Sequence, residues 1–273
     1  MKFAIPTAVK KKVLVAGGGI GGMQAALTCA DRGHEVILVE KSDRLGGVLR
    51  CEEAVAFKKN LDAYLNQQQQ RIQDANIEVL LNTAVTPAMA ETIEPDIIIA
   101  ALGAEPVKPP IPGINHKHVF CAQDAYTAID SIGEQTVIIG AGLVGVELGL
   151  HLIANGKKMR IVELSDHVND GGNFLHMLGL KFEIIKRDLE IQFNTRVKEI
   201  RENGVLCEID GADQLLAADT VIYAVGQKPR RDDALALNFC APEFYLVGDV
   251  IAPRDITSAN AEAFMTARNI GRF

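Results

Sequence analysis

An α/β chain made of two similar units, each with a central parallel sheet, is predicted by three observations. The stretch VLVAGGGIGG at residues 13–22 returns as VIIGAGLVG at 137–145. At a constant offset of 123 residues, Gly17, Gly19 and Gly22 fall on Gly140, Gly142 and Gly145, Gly33 falls on Gly156, and Glu40 on Glu163. The flanking VEKSD at 39–43 also matches VELSD at 162–166 without a gap.

Each copy contains, in order, the parts of a mononucleotide fold. The apolar runs Val13–Ala16 and Val137–Ile139 read as parallel strands covered on both faces. In the loop that follows, the first glycine permits a tight turn, the second lets backbone approach a pyrophosphate, and the third lets helix and strand pack closely. Helices are predicted over about 20–32 and 143–155, their N-terminal amides and dipoles attracting phosphate. Gly33 and Gly156 suit the left-handed residue after a helix. The second strands, Glu35–Val39 and Met159–Val162, end in Glu40 and Glu163, carboxylates suited to both ribose hydroxyls of an adenosine. After Glu40, KSDRLGGVLR offers Gly46 and Gly47 for a second close backbone approach and suggests a larger ligand at the first site. Near the C-terminus, YLVGDV reads as a strand ending in Gly248 and Asp249, followed by a helix from about Thr257. An Asp there can bind polyol hydroxyls or, more plainly, cap a turn.

Bulk properties bound the function. The 273 residues, 48% of them apolar, suffice for two cores. A net charge of -7 disfavours nucleic-acid and anionic-membrane partners. Lys10–Lys12 is read as a solvated lead-in to the first strand. No apolar run is long enough to span a bilayer and MKFAIPTAVKKK lacks the order of a signal peptide, so a cytoplasmic location is expected. The five cysteines, Cys29, Cys51, Cys121, Cys207 and Cys240, show no CxxC or cluster spacing and are expected to be reduced and mostly buried.

With these residues in place, the chain resembles the flavoprotein reductases that pair FAD and NAD(P)H sites on two Rossmann-like folds. The resemblance implies an FAD domain at 1–112 and 229–273 and an inserted NAD(P) domain at 113–228. Its crossings are IIIAALGAEP at 97–106, where Ala101-Leu102-Gly103 replaces the usual ATG, and VIYAVGQKP at 221–229, with Gly226. A proline-rich stretch, Pro106 to Gly113, reads as a stiff linker between the units, and EIQFNTRVKEIREN with GVLCEID as antiparallel strands of the insert. The family pattern assigns FAD contacts to Ile20, Lys41, Arg44, Val48, Val85, Ala101, Gly103, Gly248, Asp249 and Thr257. It assigns NAD contacts to Leu143, Val144, Glu147 and Gly226; on helix spacing alone Glu147 equally suits a solvated position.

FKKNLDAYL at 57–65 and GDVIAPRDITSANAEAFMTARNIG at 248–271 are similar to the reductase half of the 2-enoate reductase, 2,4-dienoyl-CoA reductase and trimethylamine dehydrogenase group. That resemblance implies hydride transfer from NADH to FAD, with no residue needed as acid or base. Members carry an FMN-binding barrel and a [4Fe-4S] cluster ahead of this half. The chain has neither a barrel's length nor iron-sulfur spacing, so a free-standing or excised reductase module is expected, its electron acceptor a linked or separate FMN/iron-sulfur module. Glu163, with no Arg after it in ELSDHVND, predicts NADH over NADPH. Two alternatives stand beside this reading. One is a single-cysteine NADH oxidase or disulfide reductase relative, resting on Cys51 eleven residues after Glu40, though its acidic neighbours disfavour a thiolate. The other is an ADP-binding structural domain. Gln67–Gln70 are read as the wet side of a helix, and His116 with His118 as loop residues without partners for a metal.

Overall fold

A strongly apolar segment buried on both faces must pair its backbone in a covered sheet, and the chain does this twice. The computed structural model describes residues 5–169 and 174–271. The elements up to the first crossing are β1 (Lys12–Ala16), α1 (Ile20–Asp31), β2 (Glu35–Val39), α2 (Lys59–Asp74), β3 (Glu78–Leu80), α3 (Pro87–Ile93), β4 (Ile97–Ala100) and β5 (Ala104–Pro106). Next come β6 (Val119–Cys121), α4 (Ala122–Thr127), β7 (Gln135–Ile139), α5 (Leu143–Ala154), β8 (Lys158–Val162) and α6 (Phe174–Lys186). They are followed by β9 (Glu190–Gln192), β10 (Thr195–Arg201), β11 (Gly204–Ile209), β12 (Ala212–Ala217) and β13 (Thr220–Tyr223). The chain ends with β14 (Gln227–Pro229), α7 (Arg231–Leu235), β15 (Glu243–Leu246) and α8 (Ile256–Asn269).

The contacts divide the chain into two compact units, residues 1–105 with 228–273, and residues 106–227. The first unit holds a parallel sheet of order β15-β4-β1-β2-β3. Its core strands are fully apolar, with Val13, Leu14, Val15, Ile97, Ile98 and Ile99 inaccessible to solvent. On one face α8 packs against α1, burying Ala263 and Ala267 with Met23 and Ala26. Arg32, after α1, ties down the C-terminal helix: its guanidinium donates to the carbonyls of Ala267, at 3.0 Å, and Ile270.

The second unit repeats the plan with order β6-β13-β7-β8-β9. It adds an antiparallel sheet β10-β11-β12, whose Ile200, Val205, Cys207 and Ile209 share a core with Val137 and Val162. One expectation is corrected here. The first part of EIQFNTRVKEIREN, β9, is a parallel edge strand beside β8, and only β10 onward is antiparallel. By its contacts the proline stretch belongs with the second compact unit, residues 106–227. Ile111 and Ile114 pack on that unit's core, and the Pro112 carbonyl accepts from the Ile200 amide at 2.8 Å.

Two smaller readings also change. Lys12 opens β1 and its Nζ donates to the Ile93 carbonyl at 2.5 Å, so only Lys10 stays fully exposed as a lead-in. Gln68 is buried in α2, where Tyr64 and Arg71 satisfy both ends of its amide; the helix turns that one glutamine of the run inward. The cysteines are mostly buried, as expected: Cys29, Cys121 and Cys207 are buried, and Cys51 and Cys240 half-buried. Burial pushes the Cys29 thiol up to about 12 and that of Cys207 to about 11.

Candidate nucleotide-binding site

The two glycine loops are held in the same way, atom for atom. Gly17 and Gly140 have φ of 104° and 108°, and their amides bond to the carbonyls of Val39 and Val162 at 2.8 and 2.9 Å. A methyl group on Gly17 would strike the Ala101 carbonyl, and one on Gly140 the Ala224 carbonyl. Gly22 and Gly145, in the first turns of α1 and α5, sit against the carbonyls of Gly17 and Gly140, with no room for a Cβ. The middle glycine differs. Gly142 faces open space, and the nearest atom to a Cβ on Gly19 would be the Gly47 Cα at 4.0 Å. First and third glycines are therefore demanded by packing, the second by access.

Both helices start without a side-chain cap and without an acidic residue in the first turn, their N-caps being Gly19 and Gly142. Uncapped amides at the positive end of a helix dipole form an anion site. Ile20, Leu143 and Val144 flank these openings half-buried. Beside each loop stands the expected carboxylate. Glu40 accepts from the Gly18 amide at 2.6 Å, from the Ser42 amide at 2.8 Å and from the Ser42 hydroxyl. Glu163 accepts from the Ala141 amide at 2.7 Å, the Ser165 amide at 2.8 Å and the Ser165 hydroxyl at 2.9 Å. Partial burial pushes the Glu163 carboxyl upward, but the bonds from Ala141 and Ser165 outweigh it and leave the pKa below the ordinary value. Oε1 of each takes both serine bonds, and Oε2, which takes only the backbone amide, retains acceptor capacity for a ribose hydroxyl.

The crossings repeat as well. The Ala101 amide bonds to the Ala16 carbonyl at 2.7 Å and the Ala224 amide to the Ile139 carbonyl at 2.8 Å, and Gly103 and Gly226 follow at φ 71° and 114°. Gly46 pairs with Gly19, while Gly47, at φ 61°, has its Cα so near Gly19 that a side chain would clash. These two glycines thus seat the 42–47 turn on the loop itself. In the second unit Asn169 takes the place of Gly46, pairing with Gly142. Asp170, the last residue of ELSDHVND, lies outside the described residues.

The remaining expected residues are more dispersed. Lys41 and Thr257 are exposed, Arg44 pairs with Glu53 at 2.8 Å, Val48 is 48% exposed, and Val85 packs half-buried beside Leu80. Gly248 and Asp249 form a short turn between β15 and α8. Asp249 does not cap α8, since Asp255 does so through the Ser258 amide at 2.6 Å. Asp249 instead accepts from the Arg254 amide at 3.3 Å, and burial raises its carboxyl despite that bond and the Arg254 charge. Glu147 is not solvated: it is buried in α5, its Oε1 2.8 Å from Nε2 of His176 in α6.

Sequence reasoning missed the residues that hold the carboxylates. Ser42 and Ser165 lie inside the matched VEKSD and VELSD, which was the available signal. A second set is Asn82-Thr83 and Asn194-Thr195. The asparagines, both at φ 51°, donate to the Ser42 and Ser165 carbonyls at 2.8 and 3.0 Å. The threonines donate to the Glu40 and Glu163 carbonyls at 2.9 and 2.8 Å. These stand 112 residues apart, so the change of register hid them. Among the described residues no group of His, Cys, Asp and Glu is arranged to hold a metal, and no helix is long and apolar enough to cross a membrane.

Comparison with known proteins agrees with this geometry. The family model for pyridine nucleotide-disulphide oxidoreductases matches residues 11–263. A cinnamate reductase of Clostridium sporogenes is 30% identical over 263 residues, which are 95% of this chain and 39% of that protein. An NADH oxidase of Thermoanaerobacter brockii is 32% identical over 268 residues, 96% of this chain and 41% of that protein. The solved complex of 2-naphthoyl-CoA reductase with 2-naphthoyl-CoA superposes with a TM-score of 0.93 at 28% identity, over 98% of this chain and 41% of that one. The chain thus spans about two fifths of the length of these relatives. It belongs to the pyridine nucleotide-disulphide oxidoreductase family.

Proposed function

We propose that the first unit holds FAD, that the second holds NADH, and that the module passes reducing equivalents from NADH to the flavin and onward to an acceptor outside this chain. The repeated cradle carries this reading: in both units an uncapped helix N-terminus and a carboxylate fixed by a backbone amide and a serine stand ready for a pyrophosphate and a ribose. When bound, FAD supplies a ring system able to accept a hydride and release electrons singly or in pairs. The chain's own residues bind and orient. Gly19 and Gly142 leave room for phosphate oxygens, Glu40 and Glu163 accept from ribose hydroxyls, and Asp249 accepts from the polyol chain. The fuller apparatus around the first cradle favours the larger cofactor there, since Asp249 and the Gly46-Gly47 turn have no full counterpart in the second unit.

The acceptor is proposed to be an FMN/iron-sulfur module, linked or separate, as the length of the relatives allows. A cytoplasmic location, without nucleic-acid or membrane partners, fits the net charge of -7. The test is spectroscopic. The purified chain should be yellow, release FAD on denaturation, bleach with NADH and reduce ferricyanide, leaving cinnamate-like enoates untouched. Dye reduction should survive Cys51→Ser. Release of ADP alone after an attempt at reconstitution with FAD, or disulfide reduction lost in Cys51→Ser, would overturn the assignment.

A further inference from the structure

The helix α6 carries more apolar surface than its place in the second unit uses. Met177 and Leu180 are buried where α6 meets α5. On the nearly opposite side of the same helix, Leu175, Leu178, Phe182 and Ile185 are 78%, 43%, 68% and 79% exposed. A surface helix ordinarily pairs one apolar stripe with a polar back, and α6 has two stripes. The outward one is uninterrupted by charge, and its steps of three, four and three residues are those of a seam between two packed helices. Its four residues expose roughly 500 Å2, more than a soluble monomer usually leaves in one apolar patch. Two such patches face to face bury roughly 1,000 Å2, enough for a specific interface at the lower size limit.

We propose that this stripe is the contact surface of a homodimer, in which two copies of α6 pack antiparallel about a two-fold axis. The steps of three, four and three read the same in both directions, and a two-fold interface requires that self-complementarity. A foreign partner would not. With the axis level with residue 180, Leu175 meets Ile185 of the partner subunit, and Leu178 meets Phe182 of the partner subunit. Gly179 lies beside that axis. A Cβ there would meet nothing within 4 Å, so packing inside the chain does not call for glycine, which weakens a helix. Close approach of a second helix backbone at the crossing supplies the reason. Lys181, on the other flank of the stripe, is exposed and long enough to hold its ammonium in water.

The test is sedimentation equilibrium of the full chain with its thiols kept reduced. Wild type should dimerise with a Kd on the order of 10 µM, as suits an interface of this size. Leu178→Glu and Phe182→Lys should each weaken the dimer by about 100-fold or more, because each variant sets two charges against apolar partners. Both positions are exposed in a single copy, so at a dilution where all chains are monomeric Tm should stay within about 2 °C of wild type. An equimolar mixture of the two variants should dimerise at a concentration where each alone is monomeric. The antiparallel register pairs the introduced carboxylate with the introduced ammonium at one contact, and the native Phe182 with the native Leu178 at the other. If either variant does not fold, Leu175→Lys and Ile185→Glu, at the other facing pair, take their place in the same comparison. A wild type still monomeric at about 100 µM, which would leave the stripe to a different partner, overturns the proposal. So does a dimer that the variants leave intact, or a mixture no more associated than its components.

Discussion

A carboxylate at the end of a strand is useful only if it is held still, and Ser165 does this for Glu163 with two bonds. Its hydroxyl has a single proton but two acceptors in reach, Glu163 Oε1 at 2.9 Å and the His167 carbonyl at 2.8 Å. The ionised carboxylate is the stronger acceptor and takes the proton. Because the folded pKa lies below the unfolded one, the stabilisation from this group is complete above the unfolded value and is lost as pH falls through the folded value. Ser165→Ala should therefore move the acid limb of stability, and of NADH binding, to higher pH, which a pH titration of Tm and Kd would reveal. Replacing both residues, Glu163→Ala with Ser165→Arg, removes the charge that repels a 2'-phosphate and adds a cation that pairs with it. The ratio of NADH to NADPH in kcat/KM should fall by about 100-fold, each change being worth roughly tenfold. An unchanged ratio would place discrimination elsewhere.

Within the loop element, glycines that look alike in sequence should fail in different ways. A methyl at Gly145 collides with the Gly140 carbonyl, so Gly145→Ala must move a strand against a helix. That should cost about 3 kcal/mol or more and lower Tm by roughly 10 °C. Gly142 has φ -73° and open space, so Gly142→Ala should leave Tm within about 1 °C while weakening NAD+ at least tenfold by crowding the phosphate. Equal losses of Tm would show that the separation of packing from access is wrong. The same contrast explains what could be read beforehand. Glycine spacing, apolar strands and terminal glutamates are local patterns, and β1, α1 and β2 with their counterparts fell where periodicity put them. The burial of the Pro106–Gly113 stretch was hidden because its partner Ile200 is distant in sequence, and that of Gln68 because a run of like residues does not show which one α2 turns inward, where its helix neighbours Tyr64 and Arg71 bond its amide. Glu147 was legible as a position, but its pairing with His176 depends on how α6 lies against α5, which no spacing reveals.

At the scale of the molecule, one unit is continuous and the other is not. The second unit closes within residues 106–227, its edge strand β6 being supplied from its own N-terminal side. The first unit needs residues 228–273 for β15, which covers the β4 edge, and for α8, which buries Ala263 and Ala267 on α1. Without that segment the β4 edge and the apolar face of α1 under Ala263 and Ala267 are uncovered, and Arg32 loses the carbonyls of Ala267 and Ile270 while keeping that of Ile5. Truncation after residue 227 should therefore abolish flavin retention and leave an aggregation-prone sheet edge. The excised segment 106–227 should still melt cooperatively by circular dichroism and bind NAD+. NAD+ should raise its Tm in proportion to the logarithm of ligand concentration once Kd is exceeded. A yellow 1–227 chain would show that the first unit is complete without its return segment. A 106–227 segment that never folds would show that the second depends on the first.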